Sequence, residues 1–220
     1  MQNTVTVHPV EHASLVLTWG DKIIYADPVG EPVLFDAYPR PNIIFVTHEH
    51  HDHFSPDTLM ALLGADTILV TPPSVADKLP PELKQNLKIM KNGDTISLDG
   101  LNIQAILAYN LRPEAQQFHP KGRDNGYVLE AEGARVYIAG DTEDIPEMRT
   151  LKNIDIAFIP MNLPYTMSVE SAASGVLEFK PKQVYPYHYR GPDGLSDVNK
   201  FKQLVNAGDP DINVVLAKWY

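Results

Sequence analysis

The stretch from Phe45 to Phe54 reads FVTHEHHDHF and holds four histidines, a glutamate and an aspartate directly after the apolar run NIIFV. Neutral imidazoles and carboxylates are favoured ligands of zinc and of its neighbours in the first transition row. If NIIFVT is a buried strand, His48 and His50 lie two residues apart and leave it on the same side. Two imidazoles on one side, completed by a third from elsewhere, make a three-nitrogen site with a position open for water. Asp52 and His53 follow on the turn and can face a second ion. Six residues thus carry ligands for two adjacent metals. Histidine-rich tracts also occur in solvated loops, but this one is internal, follows an apolar strand and includes a carboxylate at the required spacing.

The elements that must position these groups are short. TVTVH, SLVLTW and KIIYADP predict strands, with turn signals at Gly20-Asp21 and Asp27-Pro28. After the histidine motif, SPDTLMALLG predicts a helix with Ser55 as N-cap, Pro56 at the first helical position and Gly64 as its stop. TILVTP reads as a buried strand and PSVADKLP as a short helix or turn. LKIM, DTISLDG and LNIQAILAY then read as a meander, and residues 110–125 as a polar loop. GYVLEAEG and ARVYIAGD predict a hairpin around Glu132-Gly133, followed by the buried strand DIAFIP. SVESAASGVLEF predicts a helix stopped before Pro181, KQVYPYH a strand, SDVNKFKQLVNAG a helix and NVVLAKWY a final strand. This order predicts an α/β architecture of two sheets with helices on their outer faces. No linker or short repeat interrupts it, so residues 1–220 read as a single domain.

Composition bounds the function classes. The formal net charge of -10 and a pI near 5.2 argue against a nucleic-acid or anionic-membrane surface, which needs clustered Lys and Arg. Cysteine is absent, which removes disulfides, thiolate ligands and a thiol nucleophile. The first twenty residues lack a basic segment followed by an apolar one, and no apolar run approaches the roughly 20 residues of a membrane span. The expectation is a soluble cytoplasmic protein, with a homo-oligomer left open.

THEHHDH resembles the metal motif of the metallo-β-lactamase-fold hydrolases, with His48, His50, Asp52 and His53 in the ligand positions. That family carries a further His, then an acidic residue after another strand, then a final His. His119 in QFHPKGRDNGYVLE, Asp141 in VYIAGDT and His188 in VYPYHYR stand in that order. Of the eight histidines in the chain, five thereby fall into motif positions. The resemblance implies a four-layer αββα sandwich with two mixed β-sheets. Within the family, EHASLVLTWGDKIIYADP resembles a subgroup that includes ascorbate-6-phosphate lactonase and N-acyl-phosphatidylethanolamine phospholipase D. Glu11 stands where that subgroup has Gly.

What the resemblance implies is a dinuclear metal-dependent hydrolase. His48, His50 and His119 would hold one ion, Asp52, His53 and His188 the other, with Asp141 bridging. Two such ions share a water and lower its pKa, giving a hydroxide nucleophile. Zinc is the first expectation, with manganese and iron as alternatives. Asp52 is a candidate leaving-group acid, as is a water. His12 either points into the site or lies on a strand surface. Asp27 is expected to hydrogen-bond the ligand loop rather than bind metal. Lys121, Arg123 and Arg190 are candidates for holding an anionic group on a small substrate, and Tyr165 and Tyr189 are candidate pocket walls. All five also read as ordinary surface residues. His8 and His51 are expected to have no role in the site. The substrate expected is a small ester, a lactone or a phosphodiester. A β-lactamase role is disfavoured because some relatives use Cys where Asp141 stands. Two rivals remain: an iron-dependent oxidoreductase of the same fold, of the sulfur dioxygenase type, and a non-catalytic metal-binding protein.

Overall fold

β-Branched and aromatic runs pair into two mixed sheets of six and seven strands in a computed structural model that describes residues 5–220. Thr4, the first residue of the TVTVH segment, lies outside the described residues. The chain divides into two compact units, one of residues up to Lys91 with Trp219–Tyr220, the other of Asn92–Lys218.

In the first unit, β1 (Val5–Glu11), β2 (Ser14–Trp19) and β3 (Lys22–Ala26) form an antiparallel meander. β4 (Ile43–Phe45), β5 (Ile68–Thr71) and β6 (Leu87–Ile89) extend it in parallel. The crossovers carry α1 (Pro56–Leu62) and α2 (Pro73–Lys78). Ser55 caps α1 as its sequence predicts, its hydroxyl accepting from the Thr58 amide at 3.2 Å. Val16, Tyr25, Ile44 and Leu69 of the sheet bury against Leu59 and Leu62 of α1 and Val75 of α2. Each such side chain contributes about 1.5–3 kcal/mol through removal from water.

Two expectations change here. NIIFVT is a strand only over Ile43–Phe45, so the histidine motif is not strand-borne. It occupies the loop at the carboxyl end of a parallel strand, where ligand sites of α/β sheets recur. LKIM also leaves the expected meander: Leu87–Ile89 pairs in parallel with β5 in the first sheet.

The second unit repeats the pattern. β7 (Thr95–Leu98), β8 (Leu101–Ala108), β9 (Asp124–Ala131) and β10 (Ala134–Ile138) are antiparallel. Glu132 and Gly133, with φ 51° and 77°, make the β9–β10 turn at the predicted place. β11 (Ile156–Pro160) and β12 (Gln183–Tyr187) join in parallel. A small hairpin, β13 (Arg190–Gly191) with β14 (Gly194–Leu195), follows, and β15 (Asn213–Val214) closes the sheet edge. NVVLAKWY is therefore a strand only over its first two residues. The helices are α3 (Pro146–Arg149), α4 (Val169–Phe179) and α5 (Val198–Gly208). Ser168 and Asp197 cap the last two through their side chains. Phe158 stacks on Tyr185 at 5.2 Å in the core of this unit, and Tyr137 meets Phe179 of α4 edge-on. Among the described residues, no helix is long and apolar enough to cross a membrane.

Candidate functional site

In the first unit the candidate ligands are organised by one buried carboxylate. Asp27 directly follows β3, adopts a left-handed φ of 45° and is fully buried. Its amide donates to the Phe45 carbonyl at 2.9 Å, which joins the end of β3 to the end of β4. Oδ1 accepts from the Thr47 amide, and Oδ2 accepts from both the Thr47 hydroxyl and His53 Nδ1, each at 2.7 Å. Asp27 thus hydrogen-bonds Thr47 and His53, on either side of His48 and His50 in the motif loop.

The network also assigns tautomers. A carboxylate only accepts, so His53 carries its proton on Nδ1. The Thr47 hydroxyl gives its one proton to Asp27, so its 3.0 Å contact with His48 Nδ1 requires that nitrogen to donate. Both rings are left with the lone pair on Nε2, the form in which imidazole binds a metal. His48 and His53 lie with ring centroids 4.0 Å apart, and His50 sits edge-on to His48 at 4.7 Å. The backbone curls back between them, His53 and Phe54 amides both donating to the His50 carbonyl. Asp52 is one-third exposed, and His12 Nε2 lies 3.1 Å from its Oδ2. His12 thus faces the motif and is not a strand-surface imidazole. Its Nδ1 is 2.8 Å from the Tyr220 hydroxyl.

The second unit holds the other three. His119 is buried in the loop before β9, Asp141 follows β10 and His188 follows β12. Asp141 lies between the two rings, its Oδ2 3.3 Å from His119 Nε2 and its Oδ1 3.7 Å from His188 Nε2. His119 Nδ1 meets the fully buried Asp124 carboxylate at 3.1 Å. Burial pushes the His119 pKa down, but Asp124 and Asp141 outweigh it and hold it above the ordinary value. His188 takes a left-handed φ of 45°, a conformation that costs a residue with a Cβ about 1–2 kcal/mol.

Sequence reasoning missed several supports. Thr47 is concealed as an ordinary strand-end residue, although it immediately precedes His48. Asp124 stands in RDNG, at the end of the loop expected over 110–125, and instead opens β9. Glu143, two residues after Asp141, is a buried carboxylate that accepts from the Leu111 and Arg112 amides and from Arg112 Nε. Arg112 Nη2 also donates to the carbonyls of Pro164 and Thr166, and Asn110 Nδ2 to that of Tyr165. The loops 110–123 and 161–167 are thereby tied together.

The candidate substrate contacts have mixed surroundings. Arg123 is not a free rim cation: Nε and Nη2 engage both oxygens of Asp124 at 2.7 and 2.9 Å, and Nη2 also reaches the Phe118 carbonyl. Lys121 Nζ donates to the Tyr109 hydroxyl at 3.1 Å and pairs with Glu147 at 3.4 Å, which together raise its pKa. Tyr165 is exposed and packs edge-on to Phe118 at 5.1 Å, Tyr189 is buried, and Arg190 is exposed at the start of β13.

The donor set suits a divalent metal: imidazoles, carboxylates and no thiolate, a mixture that zinc, manganese and iron all accept. A family model for the beta-lactamase superfamily domain matches residues 6–188. A UPF0173 metal-dependent hydrolase of Thermococcus onnurineus is 30% identical over 213 residues, 91% of this chain and 92% of its own. A UPF0173 metal-dependent hydrolase of Staphylococcus saprophyticus is 28% identical, with 88% and 93% covered. Among solved structures, a Parabacteroides distasonis protein assigned as a metal-dependent hydrolase matches with a TM-score of 0.87 at 41% identity, covering 98% of this chain and 94% of that one. Igni18, a metallo hydrolase from Ignicoccus hospitalis, shares the fold with a TM-score of 0.82 at 23% identity, with 97% and 95% covered.

Proposed function

Because the chain belongs to the beta-lactamase superfamily and is a metal-dependent hydrolase, we propose that it works through two divalent ions on a small ester, a lactone or a phosphodiester. His48, His50 and His119 would hold one ion and Asp52, His53 and His188 the other, with Asp141 available to both. Zinc is the first choice, with manganese or iron able to replace it. Two such ions would supply a water of lowered pKa and polarisation of the oxygen of the scissile bond.

The observation that carries this reading is the Asp27–Thr47 network, which leaves Nε2 of both His48 and His53 with a lone pair. Such outer contacts orient ligands and raise their basicity. Asp124 does the same for His119, and Arg123 braces Asp124, so Arg123 acts through that pair rather than on substrate. His12 Nε2 lies 3.1 Å from Asp52 Oδ2, and these two residues are the candidates for protonating the leaving group, a step that requires one of them in its protonated form. Tyr165 and Arg190 are exposed and remain candidates for substrate contact, with Lys121 and Tyr189 as their neighbours in role. The ester class rests on the subgroup resemblance of residues 11–28.

The test is metal removal and return. Protein stripped with a chelator should not turn over any member of a panel of lactones and bis(p-nitrophenyl) phosphate. Zinc or manganese should restore turnover of one class, and His48→Ala should abolish it. Fully metallated protein that cleaves no member of either class would overturn the ester reading.

A further inference from the structure

We infer that Tyr220 is a positioning residue for the candidate metal centre, acting through His12 to fix the carboxylate of Asp52. The inference rests on the dinuclear reading above, in which Asp52 serves one ion. Tyr220 and His12 are 208 residues apart in the chain, yet the hydroxyl lies 2.8 Å from Nδ1 and the rings meet edge-on at 5.8 Å. His12 Nε2 lies 3.1 Å from Asp52 Oδ2. The carboxylate accepts, so Nε2 of the neutral ring carries the proton, Nδ1 carries the lone pair and the tyrosine O–H donates to it. One hydroxyl therefore sets both the tautomer and the tilt of the ring that holds Asp52.

Two independent features fit this role. His12 is the first central residue of the turn joining β1 to β2, with φ 56°. Turns of that geometry favour Gly or Asn at this position, where no large side chain strains the backbone. An imidazole kept in such a place has a use for its ring. Asp52 is also not fixed by burial, since its side chain is 32% exposed against 17% for His12. A carboxylate that open needs a directional partner to hold one rotamer, and His12 supplies it. Trp219, buried in the same unit, anchors the neighbouring Tyr220.

Tyr220→Phe removes the hydroxyl and keeps the ring. Zinc affinities of the wild type and this variant are measured by competition with a chromophoric chelator. The first equivalent should bind unchanged and the second about tenfold more weakly, the lower end of the range for outer-shell partners. His12→Asn suits the left-handed turn and provides a second background, in which Tyr220→Phe should add less than a twofold further loss. A tyrosine with only a packing role gives equal losses at both ions, or losses that multiply across the two variants, and either result overturns the inference. Wild-type affinity for both ions in Tyr220→Phe also overturns it, with the dinuclear reading intact. A wild type that binds fewer than two equivalents refutes the dinuclear reading itself and the inference with it.

Discussion

Asp27→Asn changes one buried acceptor into a donor with almost no change in shape. In the native protein Oδ1 accepts from the Thr47 amide, and Oδ2 from the Thr47 hydroxyl and His53 Nδ1, all at 2.7 Å. If the new amide nitrogen takes the Oδ2 position, it donates to His53 Nδ1. The ring proton then moves to Nε2, and the ligand lone pair is lost. If it takes the Oδ1 position, it opposes the Thr47 N–H, and a buried donor is left unsatisfied at a cost of about 1–3 kcal/mol. Both orientations also lose the charge that strengthens the remaining bonds. We expect about 2 kcal/mol of lost stability in metal-free protein, seen as a Tm lower by about 4–8 °C in a chain of this size. Metal affinity should fall about 10–100-fold, or about 1.4–2.8 kcal/mol. Calorimetry with and without chelator reads the first quantity, and zinc competition the second. A variant that binds zinc within twofold of the wild type would refute the claim that Asp27 sets the His53 tautomer.

Further outcomes follow from the same contacts. Arg123→Lys keeps the charge but loses the two-pronged fit to Asp124, and should lower stability by about 1–2 kcal/mol in urea unfolding. Ser55→Ala should cost about 1 kcal/mol through the lost α1 cap and leave zinc affinity unchanged, which separates fold from site. Burial alone would raise the Glu147 carboxyl, but a backbone amide, the Tyr109 hydroxyl and Lys121 together hold it below its usual value. A carboxylate with a depressed folded pKa contributes stability above its unfolded pKa and loses it as pH falls through the folded one. Lys121→Met should therefore move the Glu147 titration upward by carbon-detected NMR and shrink the acid-side loss of stability; an unmoved titration would show that Lys121 contributes nothing there.

What could be read in advance was what is local. His48, His50, Asp52 and His53 stand within six residues, and Ser55 announces α1 by cap chemistry. Asp141 and His188 follow apolar strands that turn out to be parallel, so strand ends marked them. The supports that could not be read act across the chain: Thr47 meets a carboxylate twenty residues earlier, and Tyr220 meets His12 across 208 residues of sequence. Nothing in RDNG says that Arg123 will engage the carboxylate beside it rather than a ligand. LKIM and NVVLAKWY failed for a related reason. Sheet membership of a two- or three-residue strand depends on its partner, which periodicity does not encode.

The most direct test of the central claim is metal stoichiometry by elemental analysis, on protein purified without chelator or histidine tag. The account predicts two equivalents of zinc or manganese per chain in the wild type, about one in Asp52→Ala and retained fold in both by circular dichroism. A single equivalent of iron in the wild type, unchanged by Asp52→Ala, would contradict it.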